Sequence, residues 1–248
     1  MANKTRQQSK SERAQALVRE QQRKEKMRNW MVIGAVVVAV ALIGGVMFFI
    51  SANKDTTGQA VSSSGTPSNL TSTYGVEIGK SSAPHTIKLY EDFQCPICNE
   101  FEKAIGSKIR TGIADGTIKV DYHMVSFLDT HSANAYSSRA LNAAMAVLST
   151  AGTDAFLKFH EIAYANQPAE GTAGPDDATL VDWAVQAGAT ESEVRPLIDG
   201  NVYHQWTVNA TDAMSQDGVT GTPTVFIDGK SQGADLGAAV QNLQSILQ

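Results

Sequence analysis

The chain has 248 residues, with 20 Lys and Arg against 25 Asp and Glu, and only two cysteines. Two cysteines, with no Cys/His cluster at suitable spacing, cannot furnish the four ligands of a structural zinc site. Beyond residue 29 the acidic side chains outnumber the basic ones by 22 to 11, which argues against a nucleic-acid phosphate backbone as partner.

Residues 1–29 carry nine Lys and Arg against three Glu. The next 21 residues, Trp30 through Ile50, contain no charged side chain. At about 1.5 Å per residue such a helix spans about 30 Å, the thickness of a bilayer's hydrocarbon core. The positive-inside rule then places the basic head in the cytoplasm and everything after residue 50 outside. A cleaved signal peptide has a shorter basic region and a shorter apolar core, so a retained single-pass anchor is expected. Residues 51–74 hold 13 Ser, Thr or Gly among 24, a flexible tether with an r.m.s. reach on the order of 27 Å. The sequons at Asn69 and Asn209 are read as chance matches to a short pattern.

Residues 75–248 are long enough for one domain with a sizeable core. His85 to Phe93 is strand-like, and Cys98, Phe101, Ile105 and Ile109 recur at helical intervals. Ile118, Val120, Tyr122 and Met124 alternate with polar residues and predict a second strand. From about 132 to 217 the pattern is wholly helical. Stripes run through Ala140 to Leu148, through Phe156, Phe159, His160 and Tyr164, and through Leu180, Trp183 and Ala187. Thr190 and Glu193 have capping-box spacing, and Pro196 is expected to kink or end the helix they open. Val202, Trp206, Asn209 and Ala213 continue helically to Gly218. Thr224 to Asp228 returns to strand, and Leu236, Val240, Leu243 and Leu247 predict a closing helix. The fold class is therefore α/β, with a helical block inserted between two α/β halves.

The two cysteines stand together as Cys95-Pro96-Ile97-Cys98, at the turn from predicted strand to predicted helix. A helix N-terminus presents unpaired N–H groups and a positive dipole end, which favour the thiolate at Cys95. Thiolate is the reactive form. A purely structural disulfide here would close a tiny loop and remove little unfolded-state entropy. Pro96 suits the first helical position, where its missing N–H costs no bond. Redox chemistry is thus the function these spacings point to, with no cofactor and no metal.

Glu91-Asp92-Phe93-Gln94-Cys95-Pro96-Ile97-Cys98, together with Gly218-Val219-Thr220-Gly221-Thr222-Pro223-Thr224, resembles the DsbA-like branch of the thioredoxin superfamily. The segment Phe156 to Pro168 also looks like the first insertion helices of that branch. The anchor resembles a Gram-positive, actinobacterial arrangement. The resemblance implies a thioredoxin fold with an inserted helical domain, Cys95 as the exposed attacking sulfur and Cys98 as the buried resolving one. It implies a cis Thr222–Pro223 peptide facing them, with Thr222 pairing its backbone to a substrate chain. It further implies exported protein thiols as substrates and reoxidation by a membrane quinone-linked partner of DsbB or VKOR type.

The chain departs from relatives at two places. Some thioredoxin-like proteins carry a buried acid six residues before the first cysteine, and here that residue is Leu89. Glu91 and Asp92 are the nearest substitutes, but both are expected to be solvated strand-end carboxylates, since unpaired acids are rarely buried. Ile97 stands where strongly oxidising members often have His. Reductase or isomerase activity therefore remains an alternative to the oxidase, and a tethered non-enzymatic holdase is a third reading. The five histidines, His160 among them, are expected to serve packing or solvent rather than metal.

Overall fold

The computed structural model describes residues 70–247. The basic head, the Trp30–Ile50 span and the tether as far as residue 69 lie outside the described residues. Among the described residues no helix is long and apolar enough to cross a membrane.

Five strands form one sheet in the order β1-β3-β2-β4-β5. They are β1 (Val76–Ile78), β2 (His85–Glu91), β3 (Ile118–Met124), β4 (Thr224–Ile227) and β5 (Lys230–Ser231). The central pair β2 and β3 is parallel, with Ile87 opposite Val120. Parallel neighbours need a crossover, and the Cys-containing helical run supplies it. β4 returns antiparallel beside β2, setting Val225 against Leu89. Ile87, Leu89, Ile118 and Val120 are fully buried, as expected where both faces of a sheet are covered. Residues 70–74 already belong to this unit: Leu70 bridges to Val76, and Leu70 and Tyr74 pack against the core.

The crossover is a helix α1 (Pro96–Phe101), a π-helical turn Glu102–Gly106 and a helix α2 (Ser107–Asp115). Cys98, Phe101, Ile105 and Ile109 all face the core, as their spacing predicts. The insertion comprises α3 (Tyr136–Ala165), α4 (Asp177–Ala187), α5 (Glu191–Asp199) and α6 (His204–Gln216), and α7 (Leu236–Ile246) closes the chain. Helices α3, α4 and α5 pack against one another, burying Phe156, Phe159, Leu180, Val181 and Val194 completely. Trp183 and Trp206 are core residues, as their stripes suggest.

α3 breaks at Gly152 (φ 81°, ψ −171°), so the two stripes read around that glycine occupy two helical segments. The Thr190 side chain makes no capping bond. Its carbonyl instead accepts from the Glu193 N–H at 3.0 Å, so the boundary is where the spacing puts it but the reciprocal side-chain bonds are not made. Pro196 lies inside α5, which ends at Asp199.

Candidate active site

Cys95 caps α1 in an extended conformation (φ −73°, ψ 116°), and Pro96 is the first helical residue. Both cysteines are free thiols. Their environments push them in opposite directions. The Cys95 thiol is brought down from its ordinary 9.0 to about 6, chiefly by a hydrogen bond from Cys98 and against the cost of burial. Thr222 and the N–H groups of Ile97 and Cys98 help. Cys98 is held well above the ordinary thiol value, first by burial, then by that same bond to Cys95 and by the charges of Glu91 and Cys95. One sulfur is poised as thiolate and the other as thiol, the asymmetry a helix N-terminus favours.

The Thr222–Pro223 peptide is cis, and the Thr222 carbonyl lies 3.4 Å from Cys95 Sγ as an acceptor. Ile97 is 55 % exposed on the rim of an open groove of about 420 Å³, which is walled by Gly218 to Phe226 and by Leu236. The fold thus brings all six expected site residues together: Cys95, Pro96, Ile97, Cys98, Thr222 and Pro223.

Three expectations need correction. Cys95 is only 6 % exposed, with the Thr222 carbonyl 3.4 Å from its sulfur. Glu91 and Asp92 are fully buried, not solvated strand-end carboxylates. Most of their partners come from far along the chain. Asp92 accepts from the Gln94 N–H at 2.8 Å, the Leu128 N–H at 2.9 Å and the Ser137 hydroxyl at 2.6 Å. These bonds oppose a burial effect that raises its carboxyl to about 6. Glu91 Oε2 pairs with His160 Nε2 at 2.9 Å. His160 is therefore more than a packing residue.

The insertion also holds the loop that carries the dithiol. Gln167 donates to the carbonyls of Phe93 at 3.1 Å and Cys95 at 2.8 Å, and accepts from Asn99 at 3.1 Å. Gln94 donates to the carbonyls of Ala169 at 3.2 Å and Thr172 at 3.1 Å. The Tyr164 hydroxyl donates to the Asp92 carbonyl at 3.1 Å. Spacing gave no sign of these residues as supports, although Tyr164 and Gln167 fall within the segment that resembles the DsbA-like insertion.

Among the described residues, Glu91, Glu102 and His160 offer ligand atoms within 4.8 Å of one another. The imidazole turns Nε2 to Glu91 at 2.9 Å and Nδ1 to Glu102 at 4.0 Å.

A parallel-centred sheet with a dithiol of split acidity at a helix N-terminus, opposite a cis-proline, defines a thiol–disulfide oxidoreductase of thioredoxin fold. The family model described as thioredoxin matches residues 71–246, and the chain belongs to the thioredoxin family, in its DsbA-like branch. The reduced disulfide bond oxidoreductase DsbG of Mycobacterium tuberculosis is 31 % identical, over 70 % of this chain and 87 % of that one, with a TM-score of 0.60. Oxidised DsbA of the same organism is 30 % identical, over 70 % and 92 % of the two chains, with a TM-score of 0.59. The serine/threonine-protein kinase PknE of M. tuberculosis is 31 % identical over 160 residues, which is 61 % of this chain and only 28 % of the kinase.

Proposed function

We propose that the protein is a membrane-tethered extracytoplasmic oxidase that introduces disulfides into exported proteins through Cys95 and Cys98. The observation that carries this reading is the opposed acidity of the two sulfurs. A substrate thiolate attacks Cys95 Sγ of the oxidised enzyme; the Cys95–Cys98 bond breaks, and Cys98 leaves and takes up a proton. A second substrate thiolate attacks the substrate sulfur of the mixed disulfide, and Cys95 departs as thiolate. Two electrons pass from substrate to enzyme, and the low pKa of Cys95 makes it a good leaving group. A stabilised reduced form makes the couple more oxidising, which favours this direction over reduction.

Pro96 fixes the first turn of α1, and Ile97 offers an apolar contact at the groove. Thr222 and Pro223 form the platform along which the substrate backbone lies, a short piece of strand addition. The charge asymmetry around Trp30–Ile50 supports an anchor with its N-terminus in the cytoplasm, where the dithiol would face an oxidising compartment. A quinone-linked membrane partner of DsbB or VKOR type would remove the electrons.

Cys95→Ser abolishes insulin reduction and dithiol-peptide oxidation on this reading, whereas retained activity would favour a holdase. A measured potential near that of thioredoxin would reverse the direction. A membrane-impermeant maleimide applied to intact cells should reach Cys95; labelling only after lysis would overturn the placement.

A further inference from the structure

The cis-proline loop runs from the end of α6 to the start of β4, and little within it fixes its place. The Gly218 and Val219 N–H groups donate back to the Ser215 and Met214 carbonyls, each at 3.1 Å. The Thr224 hydroxyl donates to the Gly221 carbonyl at 2.7 Å. Among the described residues, and apart from its chain neighbours, no atom lies within 4 Å of where a Gly221 side chain would begin. The Thr222 carbonyl nevertheless stands 3.4 Å from Cys95 Sγ, so the ends of the loop must set its position.

Both ends meet one residue. Tyr90, five residues before Cys95, stands opposite Thr224 in the antiparallel β2–β4 ladder, at the exit of the loop. Its hydroxyl donates to Asp217 Oδ2 at the entry, where Asp217 caps α6. Burial, then that bond to Asp217, holds the hydroxyl protonated well above the ordinary phenol value, so it remains a donor. Lys88 Nζ lies 3.5 Å from the same carboxylate oxygen and steadies it from the outside. The Tyr90 ring is buried, lies against His123 with centroids 4.6 Å apart and meets Phe226 edge-on at 6.3 Å. It also shares an apolar cluster with Val125, Met214 and Val219, the last of which belongs to the loop itself.

We infer that Tyr90 is the positioning residue that sets the cis-proline loop against the dithiol, clamping Asp217 with its hydroxyl and Thr224 through its backbone. The inference rests on the platform role proposed for Thr222 and Pro223. β2 carries Tyr90 and leads towards Cys95, so one strand fixes both the sulfur and the platform that faces it. A substrate chain laid along Thr222 then finds its main-chain partners already in place, and binding does not bear the cost of ordering the loop. Loss of the hydroxyl frees the entry while the ladder still holds the exit. The Cys95 thiolate owes its stability first to Cys98. Exchange with a small dithiol, which touches only the sulfurs, should therefore be insensitive to the clamp, whereas capture of a polypeptide should not.

The test follows single-turnover reduction of the oxidised full chain, by acid quench and alkylation, with a dithiol peptide or with dithiothreitol as the probe. Tyr90→Phe keeps the ring and removes only the hydroxyl. It should raise the half-saturating peptide concentration about tenfold, the scale of one hydrogen bond, and leave the limiting rate and the dithiothreitol rate close to wild type. Asp217→Ala should do the same, and the double variant should lose no more than either single one. Asp217→Asn keeps an acceptor oxygen and should recover most of the loss; a defect equal to that of Asp217→Ala would overturn the clamp. Peptide and dithiothreitol rates that fall together overturn it, as does unchanged half-saturation. Asp217 is partly exposed, so Asp217→Ala decides the matter even if Tyr90→Phe does not fold. Wild type that reacts with dithiothreitol but shows no saturation by the peptide would instead overturn the platform role, and wild type inert to both would overturn the dithiol reading.

Discussion

The sheet half of the domain holds both sulfurs, whereas the helical insertion holds most of the groups that keep the surrounding loop in place. Cys95 and Cys98 open a helix soon after β2, and the first cause of the low Cys95 value is its neighbour Cys98. Ser137, His160, Tyr164 and Gln167 all lie on or just after α3, and they reach back 45 to 74 residues to Asp92, Glu91 and Phe93. The chemistry is local and its support is remote. An insertion in this fold therefore does more than widen a substrate surface, because it fixes the corner on which the dithiol sits.

The comparison breaks most visibly if the two halves unfold separately. Phe159 meets Phe93 edge-on with ring centroids 6.2 Å apart, and both are fully buried. Phe159→Ala should cost about 3–5 kcal/mol. Urea melts followed by near- and far-UV dichroism should still coincide, and two separate transitions would show the halves to be independent.

A smaller effect sharpens the contrast between the sulfurs. The folded pKa of Cys95 is depressed from 9.0 to about 6, so the folded state binds the thiol proton less tightly than the unfolded chain. The resulting stability is fully present above pH 9 and lost as pH falls through 6. The reduced protein should therefore gain on the oxidised one between pH 6 and 9, by about 2 kcal/mol once solvent screening is allowed for. Paired denaturant titrations check this, and a flat difference would count against a poised thiolate.

The smallest effect falls on the clasp. Gln167→Ala removes two donors to the loop carbonyls and should cost about 1 kcal/mol. If the clasp positions Cys95, its thiolate absorbance should titrate at higher pH than in wild type. An unchanged titration would leave Gln167 a purely structural residue.

The contrast also explains what could be read from the sequence. The Cys95-Pro96-Ile97-Cys98 corner, the alternation in β3 and the stripes of α3 and α4 are short-range patterns, and each lies where its period indicates. β1 and β5 have three and two residues, too few to show a period of two. The burial of Glu91 and Asp92 was illegible for another reason. An acid at a strand end looks solvated until Leu128, Ser137 and His160 close over it, and Ser137 and His160 approach only when the insertion packs.

Gly152 offers a consequence of a different kind. Its backbone occupies a region almost reserved for glycine, yet apart from its own helix backbone and adjacent residues no atom lies within 4 Å of where a side chain would begin. Replacing it with alanine would meet no residue packed from elsewhere in the chain, so the penalty would be one of local backbone conformation. The site provides a calibration point at which the intrinsic cost of a glycine-only conformation can be weighed free of crowding.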